Sequence, residues 1–156
     1  MRQRVPLLVF LLLFSGADAV PFTGEVVGVL EGDTIEVLHN GKAQRVRLHG
    51  IDCPEKGQPF GNNAKHAISS LIFAQVVTLQ IYGKDKSRRI LADVLLGDET
   101  NVNHQLVKDG WCWWYRKHAG DDTTLETLEA EARDGKKGLW AEPSPVRPWE
   151  GRKRME

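Results

Sequence analysis

The sequence predicts an α+β fold that is mainly β, a small closed barrel of the OB type with helices packed on it. Three observations point there. Three short β-branched runs separated by turn signals stand near the front, two alternating runs follow, and helical stripes lie between and after them. An unrelated α+β sandwich fits the same pattern, and the pattern alone leaves both open.

The chain has 156 residues, and its start is not part of the fold. Arg2 and Arg4 precede the apolar run Val5 to Phe14, and small residues follow, ending in Ala17-x-Ala19. A charged start, a short apolar run and small residues at the cut read as a secretory signal peptide over 1–19. The run falls short of the roughly 20 apolar residues that span a bilayer. The expected organisation is a signal peptide 1–19, one domain over 20–142, and a Pro-rich basic tail over 143–156.

Within the domain, Val26 to Val29 and Thr34 to Leu38 read as strands joined by a tight turn at Glu31-Gly32-Asp33. Asn40-Gly41 is a two-residue hairpin signal, because both residues tolerate the positive φ of a type I′ turn. Gln44 to Leu48 completes the meander, with Val46 and Leu48 alternating against Arg45 and Arg47. After a loop containing Pro54 and Pro59, a helix carries the stripe Ala64, Ala67, Ile68, Leu71 and Ile72. Strands at Val77 to Ile81 and Ile90 to Leu96 follow, then a short helix through Val102, Leu106 and Val107 that stops at Gly110. Thr123 with Glu126 reads as a capping box for a helix carrying Leu125, Leu128 and Ala132. The segment from Pro143, with its prolines and Arg152-Lys153-Arg154, reads as extended.

Composition narrows the function. Lys plus Arg and Asp plus Glu both number 21, so bulk basicity does not hold nucleic acid here. Removing residues 1–19 leaves a net charge of −1. Any nucleic-acid binding therefore rests on local basic side chains: Arg45, Arg47, Lys84, Lys86, Arg88, Arg89, Arg116 and Lys117. Two cysteines exclude a disulfide-dense scaffold and a multi-Cys zinc site. The five histidines, at 39, 49, 66, 104 and 118, have no His-x-His or His-x₃-His spacing. No Gly-x-Ser-x-Gly elbow is present.

Two acidic loops remain as candidates for chemistry. Glu31-Gly32-Asp33-Thr34 and Asp52-Cys53-Pro54-Glu55 place carboxylates at strand ends, where loops gather. Paired carboxylates with backbone carbonyls form a hard oxygen site suited to Ca²⁺ or Mg²⁺. Arg47 precedes the second loop and Arg88-Arg89 opens the fifth strand; guanidinium groups bind phosphate and neutralise charge in phosphoryl transfer. Singly, a turn Asp is more often a turn former, and a strand Arg a surface ion pair. Trp111 to Tyr115 could stack bases, although core packing is the commoner fate of such rings.

Together these residues resemble the staphylococcal nuclease family. The matching text is Gly32-Asp-Thr34, Arg47-Leu-His-Gly-Ile-Asp-Cys-Pro-Glu55, Asp85-Lys-Ser-Arg-Arg-Ile-Leu-Ala92, Val102-Asn103, Gly110-Trp111 and Gly138-Leu-Trp140. The resemblance implies an OB-fold five-stranded barrel with three packed helices and a secreted or periplasmic, Ca²⁺-dependent nuclease. Its implied partners are DNA and RNA substrates, cut to leave 3′-phosphates by a monomer that does not stay on a membrane. It implies Asp33 and Asp52 as metal ligands with the Cys53 backbone carbonyl, Glu55 as general base, and Arg47 and Arg89 on the phosphate.

The chain departs from the family pattern at Ser87-Arg88, where the family usually has Tyr-Gly. The departure removes an aromatic ring near the substrate and denies the turn glycine's conformational freedom. The resembled fold also brings the metal loop close to the segment after the second helix, which implies a Cys53–Cys112 disulfide. A rival class, an inactive nucleic-acid-binding OB module, predicts loss of at least one of Asp33, Asp52, Glu55, Arg47 and Arg89. All five are present.

Overall fold

The computed structural model describes residues 20–155, so the expected signal peptide lies outside the described residues. Strands β1 (Phe22–Glu31), β2 (Thr34–His39) and β3 (Lys42–Leu48) form the expected meander. Asn40 at φ 50° and Gly41 at φ 76° form its second turn, the left-handed pair that a type I′ hairpin requires. A two-residue strand β4 (Ile51–Asp52) and helix α1 (Gly61–Ile72) follow, then β5 (Val76–Lys84) and β6 (Ile90–Leu95). The barrel closes in the order β1-β2-β3-β6-β5, with β3 and β6 parallel and every other pair antiparallel. It is therefore the barrel, not the sandwich, that the strand pattern encodes.

Alternation decides what fills it. Val26, Ile35, Val37, Val46, Leu48, Leu79 and Val94 are fully buried, while Arg45 and Arg47 take the other face of β3. Burying one such side chain contributes about 1.5–3 kcal/mol. Helix α1 seats Ala64, Ile68 and Ile72 against the barrel. Helix α2 (Val102–Lys108) packs on β6, and α4 (Thr123–Asp134) packs on α2. Between them lie β7 (Trp113–Trp114), paired with β4, and the short helix α3 (Arg116–Ala119).

Three local expectations change. The α4 cap is Asp122, whose carboxylate accepts from the Leu125 amide at 2.9 Å; Thr123 is already helical. Asp is as good a cap as Thr, and here it sits one residue earlier. The 85–89 turn was expected to be unable to use glycine's conformational freedom, yet Arg88 adopts the left-handed φ of 64°. That conformation costs a non-glycine residue roughly 1–2 kcal/mol. The C-terminal segment is not extended throughout, because Pro148–Met155 forms helix α5. Proline suits the first helical turn, Glu150 favours the N-terminal end of the dipole, and Arg152, Lys153 and Arg154 favour the other.

Two tethers set the loops over the barrel mouth. Asn103, fully buried, donates to the His49 and Ala92 carbonyls and to Asp93 Oδ1, and accepts from the Val94 amide. It locks α2, β6 and the loop before β4 together. A Cys53–Cys112 disulfide ties the end of β4 to the start of β7. Its sequence separation of 59 corresponds to about 4 kcal/mol of loop-closure entropy. Replacing both cysteines with alanine should lower the unfolding free energy in urea by about 3–4 kcal/mol, and reductant should no longer affect the double variant. A loss below about 1 kcal/mol would show that the tether constrains little.

Candidate active site

Asp33 projects from the β1–β2 turn. A Cβ on Gly32 would lie 2.8 Å from Ala64 Cβ and 2.9 Å from Cys53 Cβ, so this turn can press against α1 and the Cys53 loop only with glycine there. The Asp33 carboxylate accepts from Thr34 Oγ1 at 3.0 Å and from the Cys53 amide at 2.8 Å. Asp52 ends β4, which Arg47 on β3 holds in place. Arg47 donates to the Leu48 and Ile51 carbonyls at 2.8 and 2.9 Å and to Asp52 Oδ1 at 3.1 Å. The same guanidinium lies 3.4 Å from Asp33 Oδ2. Two carboxylates thus share one cation, and the Asp52 side chain is only 1% exposed.

Burial of Asp52 has an electrostatic consequence. Burial pushes the Asp52 carboxyl above its ordinary range; hydrogen bonding from Arg152 and the Arg47 charge pull it down, while the Asp33 charge raises it further.

The other expected residues line the same cleft, a cavity of about 330 Å³ that includes Glu31, Asp33, Arg47, Asp52, Glu55 and Arg89. Arg89 is oriented by Asp85, which accepts from its amide at 2.9 Å and from its Nε at 2.7 Å. Its two terminal amino groups make no hydrogen bond among the described residues. Burial raises the Asp85 carboxyl, but these bonds outweigh it and leave the pKa lowered. Arg88 is exposed and lies off the cleft, as do Lys84 and Lys86. Arg45 is exposed, with Glu36 at 3.8 Å.

Of the aromatic run, Trp113 and Trp114 are buried, as core packing requires, and Trp114 Nε1 donates to the Ala119 carbonyl at 2.7 Å. Tyr115 and His118 line the cleft. Burial and the Arg47 charge push the His118 pKa down. Arg116 and Lys117 flank a neighbouring cavity, where the Arg116 guanidinium lies 4.7 Å from the Trp114 ring centroid.

One cleft residue was not foreseen. Arg152 on α5 donates to Asp52 Oδ2 at 2.9 Å, Asp52 Oδ1 at 3.3 Å and Glu55 Oε1 at 2.7 Å. Burial works against its charge, but these bonds outweigh it and raise its pKa. A sequence separation of 100 from Asp52, beyond three prolines, left no local signal for this contact.

The donor set suits a hard cation. Asp33 and Asp52 supply buried oxygens, while the Cys53 sulfur is committed to the disulfide, leaving only its carbonyl as a donor. No group of three or more His, Cys, Asp or Glu side chains is arranged around one point among the described residues. Two carboxylates completed by carbonyl, water and phosphate oxygens fit Ca²⁺ or Mg²⁺ and do not fit a zinc cage.

The raised Asp52 pKa carries a linkage sign. The stability it confers is fully present below the ordinary carboxylate pKa and is lost as pH rises through the raised value. Asp52→Asn should therefore unfold about 1 kcal/mol less readily at pH 7, with a shallower decline between acid and neutral pH in denaturant titrations. A less stable Asp52→Asn protein at pH 7 would mean that its guanidinium pairs outweigh desolvation.

Comparison with known proteins agrees with this geometry. A family profile described as staphylococcal nuclease homologue matches residues 45–142. The chain is 40% identical over 149 residues to an Escherichia coli protein named an uncharacterized endonuclease, covering 96% of each chain. It is 39% identical over 151 residues to a Shigella flexneri micrococcal nuclease, covering 91% of this chain and 87% of that one. A Haemophilus influenzae protein, also named an uncharacterized endonuclease, is 37% identical over 148 residues, with 94% and 82% covered. The chain belongs to the staphylococcal nuclease family.

Proposed function

We propose that this nuclease is Ca²⁺-dependent, exported and active on both DNA and RNA as a monomer, cutting the 5′-oxygen side of the phosphodiester to leave 3′-phosphates. The observation that carries the metal dependence is the charge of the cleft. Its lining holds five carboxylates (Glu31, Asp33, Asp52, Glu55, Asp85) against three guanidiniums (Arg47, Arg89, Arg152), an excess of two negative charges. A phosphodiester, itself an anion, enters such a cleft only if a divalent cation offsets that excess. Export is supported by the leader-like residues 1–19 and by the disulfide, which suits an oxidising compartment.

Asp33 and Asp52 would hold the cation, with the Cys53 carbonyl as the third protein oxygen. When bound, Ca²⁺ supplies a Lewis acid that polarises a phosphoryl oxygen. Glu55 accepts the proton of the attacking water as its oxygen bonds to phosphorus. The phosphorus–5′-oxygen bond breaks, and the departing oxygen takes a proton from solvent. Arg89, oriented by Asp85, directs its free amino groups at the charge building on the equatorial oxygens. Arg47 contributes field more than contact, because both of its terminal nitrogens already hold the loop.

The test separates cation binding from base catalysis. Glu55→Gln should keep Ca²⁺ binding by calorimetry and lose about 10²–10⁴-fold in turnover on plasmid and RNA. Arg89→Ala should likewise keep the cation and lose turnover. Asp33→Ala should lose Ca²⁺ affinity and activity together. Near-wild-type turnover in Glu55→Gln would remove it as the base. Binding without cleavage by the wild-type protein in Ca²⁺ would favour an inactive binding module.

A further inference from the structure

Arg152 reaches two carboxylates of the second acidic loop, Asp52 and Glu55, from a part of the chain remote from the barrel. Arg47 is carried by β3 and Arg89 stands one residue before β6, whereas Arg152 arrives on a helix of eight residues, α5. An isolated helix of that length is unstable in water, so α5 exists through what it docks on. It docks through an aromatic contact, a hydrogen bond and a close approach. Trp149 meets Tyr115 and Trp113 with ring centroids 5.3 and 5.9 Å apart. Gln58 Nε2 donates to the Pro148 carbonyl at 3.1 Å. Gly151 lets α5 lie close, since a Cβ there would meet Gln58 Nε2 at 2.6 Å. Among the described residues, Arg152 adds a charged anchor to these.

Chemically, that anchor uses the oxygens a cation needs. Both Asp52 oxygens and Glu55 Oε1 accept from the guanidinium. A hard cation binding Asp52 would bring two positive charges to the same oxygens. The two occupants repel each other and compete for the same lone pairs.

We propose that Arg152 is a built-in competitor of the divalent cation, so that cation binding releases α5 from the cleft and α5 docking weakens the cation. Linkage makes the effect reciprocal: each weakens the other by the same factor. The chain thereby carries a latch that closes the cleft with its own guanidinium when divalent cation is scarce and opens it when cation is plentiful. This inference rests on Asp52 belonging to the cation site, and the experiment distinguishes failure of that assignment from failure of the latch.

The measurement is calorimetric Ca²⁺ titration of the full protein and of Arg152→Ala, paired with amide hydrogen exchange of the wild type with and without Ca²⁺. The variant should bind Ca²⁺ about five- to tenfold more tightly. In the wild type, Ca²⁺ should speed exchange over residues 148–155 while leaving the barrel strands as protected or more so. The exchange arm needs no substitution, so it remains decisive if the variant folds poorly. Equal or weaker Ca²⁺ binding by Arg152→Ala, or unchanged protection of 148–155, would overturn the latch while leaving the cation site standing. Loss of turnover at saturating Ca²⁺ with unchanged Ca²⁺ affinity would instead make Arg152 a catalytic group and overturn the competition. No Ca²⁺ binding by either protein would overturn the cation site and the latch with it.

Discussion

Everything at the barrel mouth depends on one ionic arrangement, the Arg47 guanidinium shared between Asp33 and Asp52. Isolated buried carboxylates are too costly to keep charged, and a buried pair repels itself as well. Arg47 meets part of that cost and fixes the backbone by donating to the Leu48 and Ile51 carbonyls. The site and the loop that carries it therefore fold as one unit. Arg47 alone faces two carboxylates, and Asp52 takes its second guanidinium, Arg152, from α5.

The barrel's role is to bring separate turns to that guanidinium. Thr34 faces Arg47 in the β2–β3 register, which sets Asp33 beside the strand that carries Arg47. The β4–β7 pair, the Asn103 hydrogen bonds and the Cys53–Cys112 bridge hold the Asp52 loop from the other side. Parallel pairing of β3 and β6 brings Arg89, one residue before Ile90, to the same mouth as Arg47. Three stretches distant in sequence thus meet without any one of them being long. The energetic burden falls on Asp52, whose raised pKa marks stability given up where the chemistry sits.

Much of this was legible in the sequence because it is encoded locally. Alternation in Val46 and Leu48, the Asn40-Gly41 turn and the stripe from Ala64 to Ile72 each use a period or a turn chemistry that neighbours alone determine. The acidic loops were legible as strand-end carboxylates, and family resemblance ordered Asp33, Asp52, Glu55, Arg47 and Arg89 into one site. The β4–β7 pair was not legible, since two residues cannot display a period. The α4 cap moved because Asp122 and Thr123 both fit that role and only packing chooses. The Arg88 turn shows that tertiary context can hold a left-handed residue where propensity favours glycine. In the C-terminal segment, prolines suggested extension, yet Pro148 is a helix starter. What turns that helix toward Asp52 is a long-range charge contact that no window of neighbouring residues contains.

A crystal structure of the protein grown in millimolar Ca²⁺, with anomalous data collected for calcium, bears most directly on the central claim. The account predicts one strong anomalous peak with oxygens of both Asp33 and Asp52 at about 2.3–2.6 Å, and the Arg47 guanidinium still bonded to the Leu48 and Ile51 carbonyls. A calcium peak elsewhere, or none while Asp33 and Asp52 remain bridged only by guanidinium groups, would contradict it.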